Sequence, residues 1–162
     1  MENLEVSSPA FQTRGMIPSR FTCDGENLSP PIAWGKVPAG TQSLVLIMED
    51  PDIPLPKFLI PAWIHWIVYN IPPDLTALPE AQPQGETLAN AARQGRNSWR
   101  RHAYGGPCPP FGKHRYFISL YALDTAISIQ PEKATKRALL KAMQGHVLAE
   151  GELMGTYARQ KR

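Results

Sequence analysis

Residues 105–124 read GGPCPPFGKHRYFISLYALD, and within these twenty residues the chain changes character. The first part packs Gly105, Gly106, Gly112, Pro107, Pro109 and Pro110 around Cys108. Glycine lets a backbone come close to a neighbour or ligand, and proline fixes φ, so this part predicts a rigid loop rather than a simple turn. From His114 onward the sequence reads as a strand. Tyr116, Ile118, Leu120 and Ala122 share one face, and Arg115, Phe117, Ser119 and Tyr121 share the other. Apolar groups on both faces predict a central strand, covered on both sides. A restricted loop delivering a histidine to a strand start points to a built site.

Two further runs have the same strand character. SLVLIMED (43–50) is continuously apolar and ends in acid, and AWIHWIVYNIP (62–72) is aromatic and β-branched and ends at Pro72-Pro73. The first forty residues alternate short apolar groups with Gly, Pro, Asn and Asp, predicting short strands joined by turns. Residues 73–103 read as loop. PEKATKRALLKAMQG (131–145) predicts the one convincing helix: Pro131 suits its entry, Ala134, Ala138 and Ala142 share a face, and Gly145 suits its stop. HVLAEGELMGTYA (146–158) reads as a final strand through Val147, Ala149, Leu153 and Tyr157.

Composition narrows the class. A chain of 162 residues forms one domain with one sizeable core. Its 17 prolines, about twice the usual ~5% share, favour many ordered loops between short elements and a mostly β domain. Charged residues are 19% and the formal net charge is +3, which excludes a highly charged disordered chain. Arg96, Arg100, Arg101 and His102 cluster, and Arg159, Lys161 and Arg162 close the sequence. Both groups read as solvated surface rather than a nucleic-acid stripe. The start MENLEVSSPAF has no apolar signal core, which predicts a cytoplasmic protein, and no stretch approaches a membrane span of roughly 18 apolar residues. Cys23 and Cys108 are far apart in sequence, and in a reducing compartment they are expected as thiols.

Chemistry-bearing residues gather at the ends of the strong strands. Asp50 closes the first, His65 lies in the second and His114 opens the third. Two histidines and a carboxylate on neighbouring strands suit either a facial metal site or a polar pocket for an anion. Taken singly, Asp50 before Pro51 suits a strand-ending turn, and His65 between Ile64 and Trp66 suits a core imidazole. Arg115 suits an ion pair with Asp24 or Asp50. Cys108 with His114 as base is conceivable as a nucleophile pair, but Pro107 and Pro109 favour a packing role. No nucleophile elbow, HExxH or phosphate-loop motif is present.

Taken together and in order, DPDIP (50–54), HWIVYNIP (65–72) and GGPCPPFGKHRYFISLYALD resemble the phosphatidylethanolamine-binding protein family, also called the Raf kinase inhibitor-like family. FTCDGENLSPPIAW and GHVLAEGELMGTY resemble its bacterial and archaeal YbhB/YbcL-type branch, and the resemblance runs from about Phe21 to Tyr157. It implies a single domain over 1–162, an antiparallel β-sandwich with one or two short helices near the C-terminus, and a small anion-accepting cavity at one end. Matched residue by residue, it implies ligand-binding roles for Asp50, Pro54, His65, Gly106, Pro107, His114 and Tyr116, with Arg115 supporting the scaffold. No cofactor and no resident metal are implied. Two features depart from the pattern. The link before the second run is long and apolar, and Ile60 stands where vertebrate members carry a pocket tyrosine. The segment Leu55 to Ile60 reads as a dimer contact ahead of a lipid-chain groove.

The functional expectation is a non-enzymatic protein that binds a phosphate-like or phosphorylated ligand. A kinase or signalling protein is the partner class the family suggests. The rival reading is a metal-assisted hydrolase or oxygenase using His65, His114 and Asp50.

Overall fold

The three apolar runs become neighbouring strands of one sheet. A computed structural model describes residues 1–160; the basic tail residues Lys161 and Arg162 lie outside them. In chain order the strands are β1 (Glu2–Asn3), β2 (Val6–Ser7), β3 (Ile32–Trp34), β4 (Ser43–Asp50), β5 (Trp63–Ile71), β6 (Ala77–Leu78), β7 (Arg93–Gln94), β8 (Lys113–Leu123) and β9 (Val147–Ala158). One helix, α1 (Lys136–Met143), precedes β9. A six-stranded sheet runs β1-β9-β8-β4-β5-β7, and a three-stranded sheet runs β2-β3-β6. The named pairs are antiparallel except β1 with β9.

Burial on both faces explains why the middle of β4 is continuously apolar. Leu44, Leu46 and Met48 join Ile32, Trp34 and Leu78 of the small sheet in the larger core, together with Trp66, Tyr116, Ile118 and Leu120. Val45 and Ile47 face the other way, against Ile67, Tyr69 and the α1 residues Leu139 and Met143. A strand buried on both faces has no polar position to alternate with. On β8 the expected burial is one-sided: Tyr116, Ile118, Leu120 and Ala122 are fully buried, whereas Phe117, Ser119 and Tyr121 are half-buried.

The domain is mostly β, but a matched sandwich does not describe its two open sheets. The three strands of the small sheet are two or three residues long, and the opposite face of the large sheet is covered by α1 instead of strands. The helix is also shorter than its sequence pattern. Pro131–Lys133 form a separate 3-10 turn, and Thr135 caps α1 by accepting the Ala138 N–H at 3.2 Å. Ala134 is fully buried ahead of the helix instead of lying along it.

The largest correction concerns the cysteines. Cys23 and Cys108 form a disulfide, with Cα atoms 5.4 Å apart. Separation along the chain hid this pairing, and folding removes the separation. The Cys23 N–H donates to the Pro107 carbonyl at 3.1 Å, and the Gly106 N–H donates to Asn27 Oδ1 at 2.9 Å. A side chain on Gly106 would overlap Asn27 Oδ1 and the Phe21 carbonyl. The glycine therefore brings the 105–108 backbone directly onto the segment that carries Cys23.

Candidate functional site

Antiparallel pairing carries the chemistry to one end of the large sheet. Strand β4 ends at Asp50, where β8 begins beside it and β5 begins on its other side, with Asp50 opposite Trp63. His114 Nδ1 lies 2.7 Å from Asp50 Oδ2, and both side chains are buried. A carboxylate accepts, so the Nδ1 proton is fixed on the Asp50 side and Nε2 is the remaining ring nitrogen. The other oxygen, Asp50 Oδ1, accepts the Asp52 N–H at 2.7 Å. The strand-ending turn and the site residue are therefore the same carboxylate.

His65 occupies the adjacent strand. Its Nδ1–H donates to the Gly105 carbonyl at 2.6 Å. Burial of the ring, opposed by that hydrogen bond and by the Asp50 charge, lowers its pKa to about 4. The ring is therefore a neutral imidazole near pH 7 with its Nε2 lone pair available as an acceptor. Tyr116 stands two residues beyond His114 on the same strand face, with ring centroids 6.4 Å apart, and meets His65 edge-on at 5.3 Å. Its hydroxyl is buried without a hydrogen-bond partner among the described residues. The Asp50 carboxylate is close by. Burial first, and the Asp50 charge second, push the phenol above its ordinary range.

These side chains line a cavity of about 180 Å³. Of the residues expected there, Asp50, His65, His114 and Tyr116 are brought together. Pro54, Gly106 and Pro107 do not line the cavity: Pro54 is exposed, and the other two are buried against the Cys23 segment. Sequence reasoning missed Ile53, Trp63, Trp99, Pro109 and Pro110, and it assigned Cys108 to packing alone. Trp99 meets His65 edge-on at 5.1 Å and Trp63 at 5.6 Å, forming an aromatic corner. Gly105 makes that corner possible, since a side chain there would overlap the Trp99 ring. A lone tryptophan in a loop gives no periodic signal by which to find it.

Arg115 pairs with neither Asp24 nor Asp50. It grips Asp52 through Nε and Nη2 at 2.9 and 2.8 Å, while its own N–H donates to the same carboxylate at 2.9 Å. Those hydrogen bonds lower the Asp52 pKa to about 2. Asp24 instead accepts from Tyr157 and Arg159. Arg115 thus ties the turn after β4 to the start of β8, holding Asp50 beside His114. Among the described residues, no three His, Cys, Asp or Glu side chains are grouped to hold a metal.

The family model described as phosphatidylethanolamine-binding protein matches residues 7–158. The chain belongs to the phosphatidylethanolamine-binding protein family. A UPF0098 protein from Methanothermobacter thermautotrophicus is 49% identical over 156 residues, covering 96% of this chain and 99% of that protein. Among solved structures, the phosphatidylethanolamine-binding protein homologue CT736 from Chlamydia trachomatis matches with a TM-score of 0.87 at 41% identity, covering 99% of this chain and all of that one. YbcL from E. coli matches at a TM-score of 0.86 and 29% identity, covering 98% and 99%. The phosphatidylethanolamine-binding fold therefore extends over the same strand ends that build this cavity.

Proposed function

We propose that the cavity binds a small phosphate-like anionic group, free or as part of a larger ligand, and that the protein acts by binding rather than by turnover. The observation that carries this reading is the pairing of His114 with Asp50 beside an unsatisfied Tyr116 hydroxyl in one small cavity. His114, held on Asp50 through Nδ1, presents its Nε2 to the ligand, and Tyr116 offers an O–H donor. Neutral His65 offers an acceptor for the hydroxyl of a hydrogen phosphate or phosphate monoester. Donor and acceptor groups in one buried site match the mixed P–O and P–OH groups of such an anion.

Neither a thiolate nor a phenolate is on offer as a nucleophile. Cys108 is bonded to Cys23, and the Tyr116 phenol is held protonated. Calorimetric titration with inorganic phosphate tests the reading directly. Wild type should release binding heat that His114→Ala abolishes without loss of fold. Equal heats from the two proteins would defeat the assignment.

A further inference from the structure

Away from the histidine cavity, the link between β4 and β5 exposes apolar side chains that a folded domain ordinarily hides. Phe58 is 85% exposed, Leu59 67% and Leu55 45%. The link is not a loose excursion. Pro54, Pro56 and Pro61 restrict it, and the N–H groups of Leu59 and Ile60 both donate to the Pro56 carbonyl at 3.0 Å. A braced turn therefore displays two large apolar groups at its tip, and little further entropy is lost on inserting them.

The stem of this link continues into a second apolar surface. Pro61, Ala62 and Ile64 share a groove of about 500 Å³ with Leu140 of α1, and Arg137 and Lys141 rim it from the helix. The charged residues of the link and of α1 have one sign. Lys57 is the sole charged residue between Ile53 and Ile64, and the charged residues of α1 are Lys136, Arg137 and Lys141. Lys136 is neutralised by Glu49 at 2.6 Å, which leaves Lys57, Arg137 and Lys141 exposed, while Glu132 lies before the helix.

We propose that this face seats on a bilayer containing anionic lipid. Phe58 and Leu59 enter the boundary between headgroups and acyl chains, and Lys57, Arg137 and Lys141 lie against anionic headgroups. A protruding apolar tip bordered by cations is the pattern that interfacial binding requires. A second copy fits less well, because a twofold contact through this face would set one cationic surface against its duplicate. The proposal is independent of anion binding in the histidine cavity.

Co-sedimentation with vesicles tests it, using phosphatidylcholine alone and phosphatidylcholine mixed with phosphatidylglycerol. Binding is expected to the mixed vesicles and to weaken as salt is raised, since exposed charges are screened. Phe58→Ser with Leu59→Ser, and separately Arg137→Glu with Lys141→Glu, should each weaken binding roughly tenfold or more. All four positions are exposed, and circular dichroism with thermal melting verifies that both variants fold. Both surface variants should keep the phosphate-binding heat of wild type, so failure of the cavity assignment and failure of this one are separable. Equal sedimentation with both vesicle types, or an unaffected Phe58/Leu59 variant, would overturn the proposal. So would a dimer in sedimentation velocity that the Phe58/Leu59 variant dissociates, without vesicle binding by wild type.

Discussion

Asp50 serves His114 and Asp52 with different oxygens of one carboxylate, each at 2.7 Å. The turn after β4 and the orientation of the His114 ring therefore depend on the same side chain. Asp50→Asn keeps an acceptor for the Asp52 N–H but removes the negative charge beside the His114 ring. This variant should fold, yet bind phosphate at least about tenfold more weakly, the loss expected for removing a charged hydrogen-bond partner. Asp50→Ala removes both bonds and should lose about 3 kcal/mol of stability in urea unfolding, as when one partner of a buried pair is deleted. Identical phosphate affinity in wild type and Asp50→Asn would separate the carboxylate from the site.

His65 sets a second expectation, in stability against pH. Its folded pKa is about 4, below the ordinary 6.5, because burial opposes its charged form. Between those values the unfolded chain takes up a proton that the folded protein refuses. Stability should therefore be complete above about pH 6.5, fall as pH drops toward 4, and lose nothing more from this group below that. The loss integrates to roughly 3 kcal/mol. Urea unfolding across this range measures it, and His65→Phe should flatten the slope. A wild-type slope unchanged by that substitution would assign the acid sensitivity to another group.

The three strong strands were legible because each is a run with local chemistry: β4 matches SLVLIMED, and β5 and β8 begin and end within a residue of their apolar runs. Asp50, His65 and His114 could be picked out because they mark the ends or interiors of those runs. What the cavity shares with distant segments was not legible. Gly106 and Pro107 belong to the correct loop, but which side of it faces the cavity depends on how it docks on Phe21, Cys23 and Asn27. Trp99 enters from a loop without periodicity. The helix start was misread because Pro131 suits a 3-10 turn as well as an α-helix, whereas the cap is made by the Thr135 side chain.

The Cys23–Cys108 bond predicts a redox dependence of both fold and cavity. It closes a loop of sequence separation 85, so its loss relaxes the unfolded chain and should cost about 2–4 kcal/mol. Cys108, Pro109 and Pro110 also form part of the cavity wall, so phosphate affinity should fall with the same treatment. Denaturant unfolding and phosphate titration, each with and without a dithiol reductant, provide the comparison. Cys108→Ser should resemble the reduced wild type and show no further response to reductant. An equal response in both proteins would place the effect elsewhere.

Tyr116 offers the sharpest separation of stability from function. Its hydroxyl is buried without a partner among the described residues, and an unmet hydrogen bond of that kind costs about 1–3 kcal/mol. The ring itself is fully buried in the larger core and packs edge-on against His65. Tyr116→Phe keeps that packing and removes the unmet group along with its exposure to the Asp50 charge. The ligand-free variant should therefore be more stable than wild type, by about 1 kcal/mol, with a correspondingly higher Tm. If the hydroxyl donates to a bound anion, the same variant should bind phosphate about fivefold more weakly, the loss of one hydrogen bond. Thermal melting with and without saturating phosphate reads both effects at once: the variant should start higher and gain less. A variant that melts lower than wild type without phosphate would mean that the hydroxyl is satisfied in the free protein. One that gains as much from phosphate as wild type would remove Tyr116 from the ligand contacts.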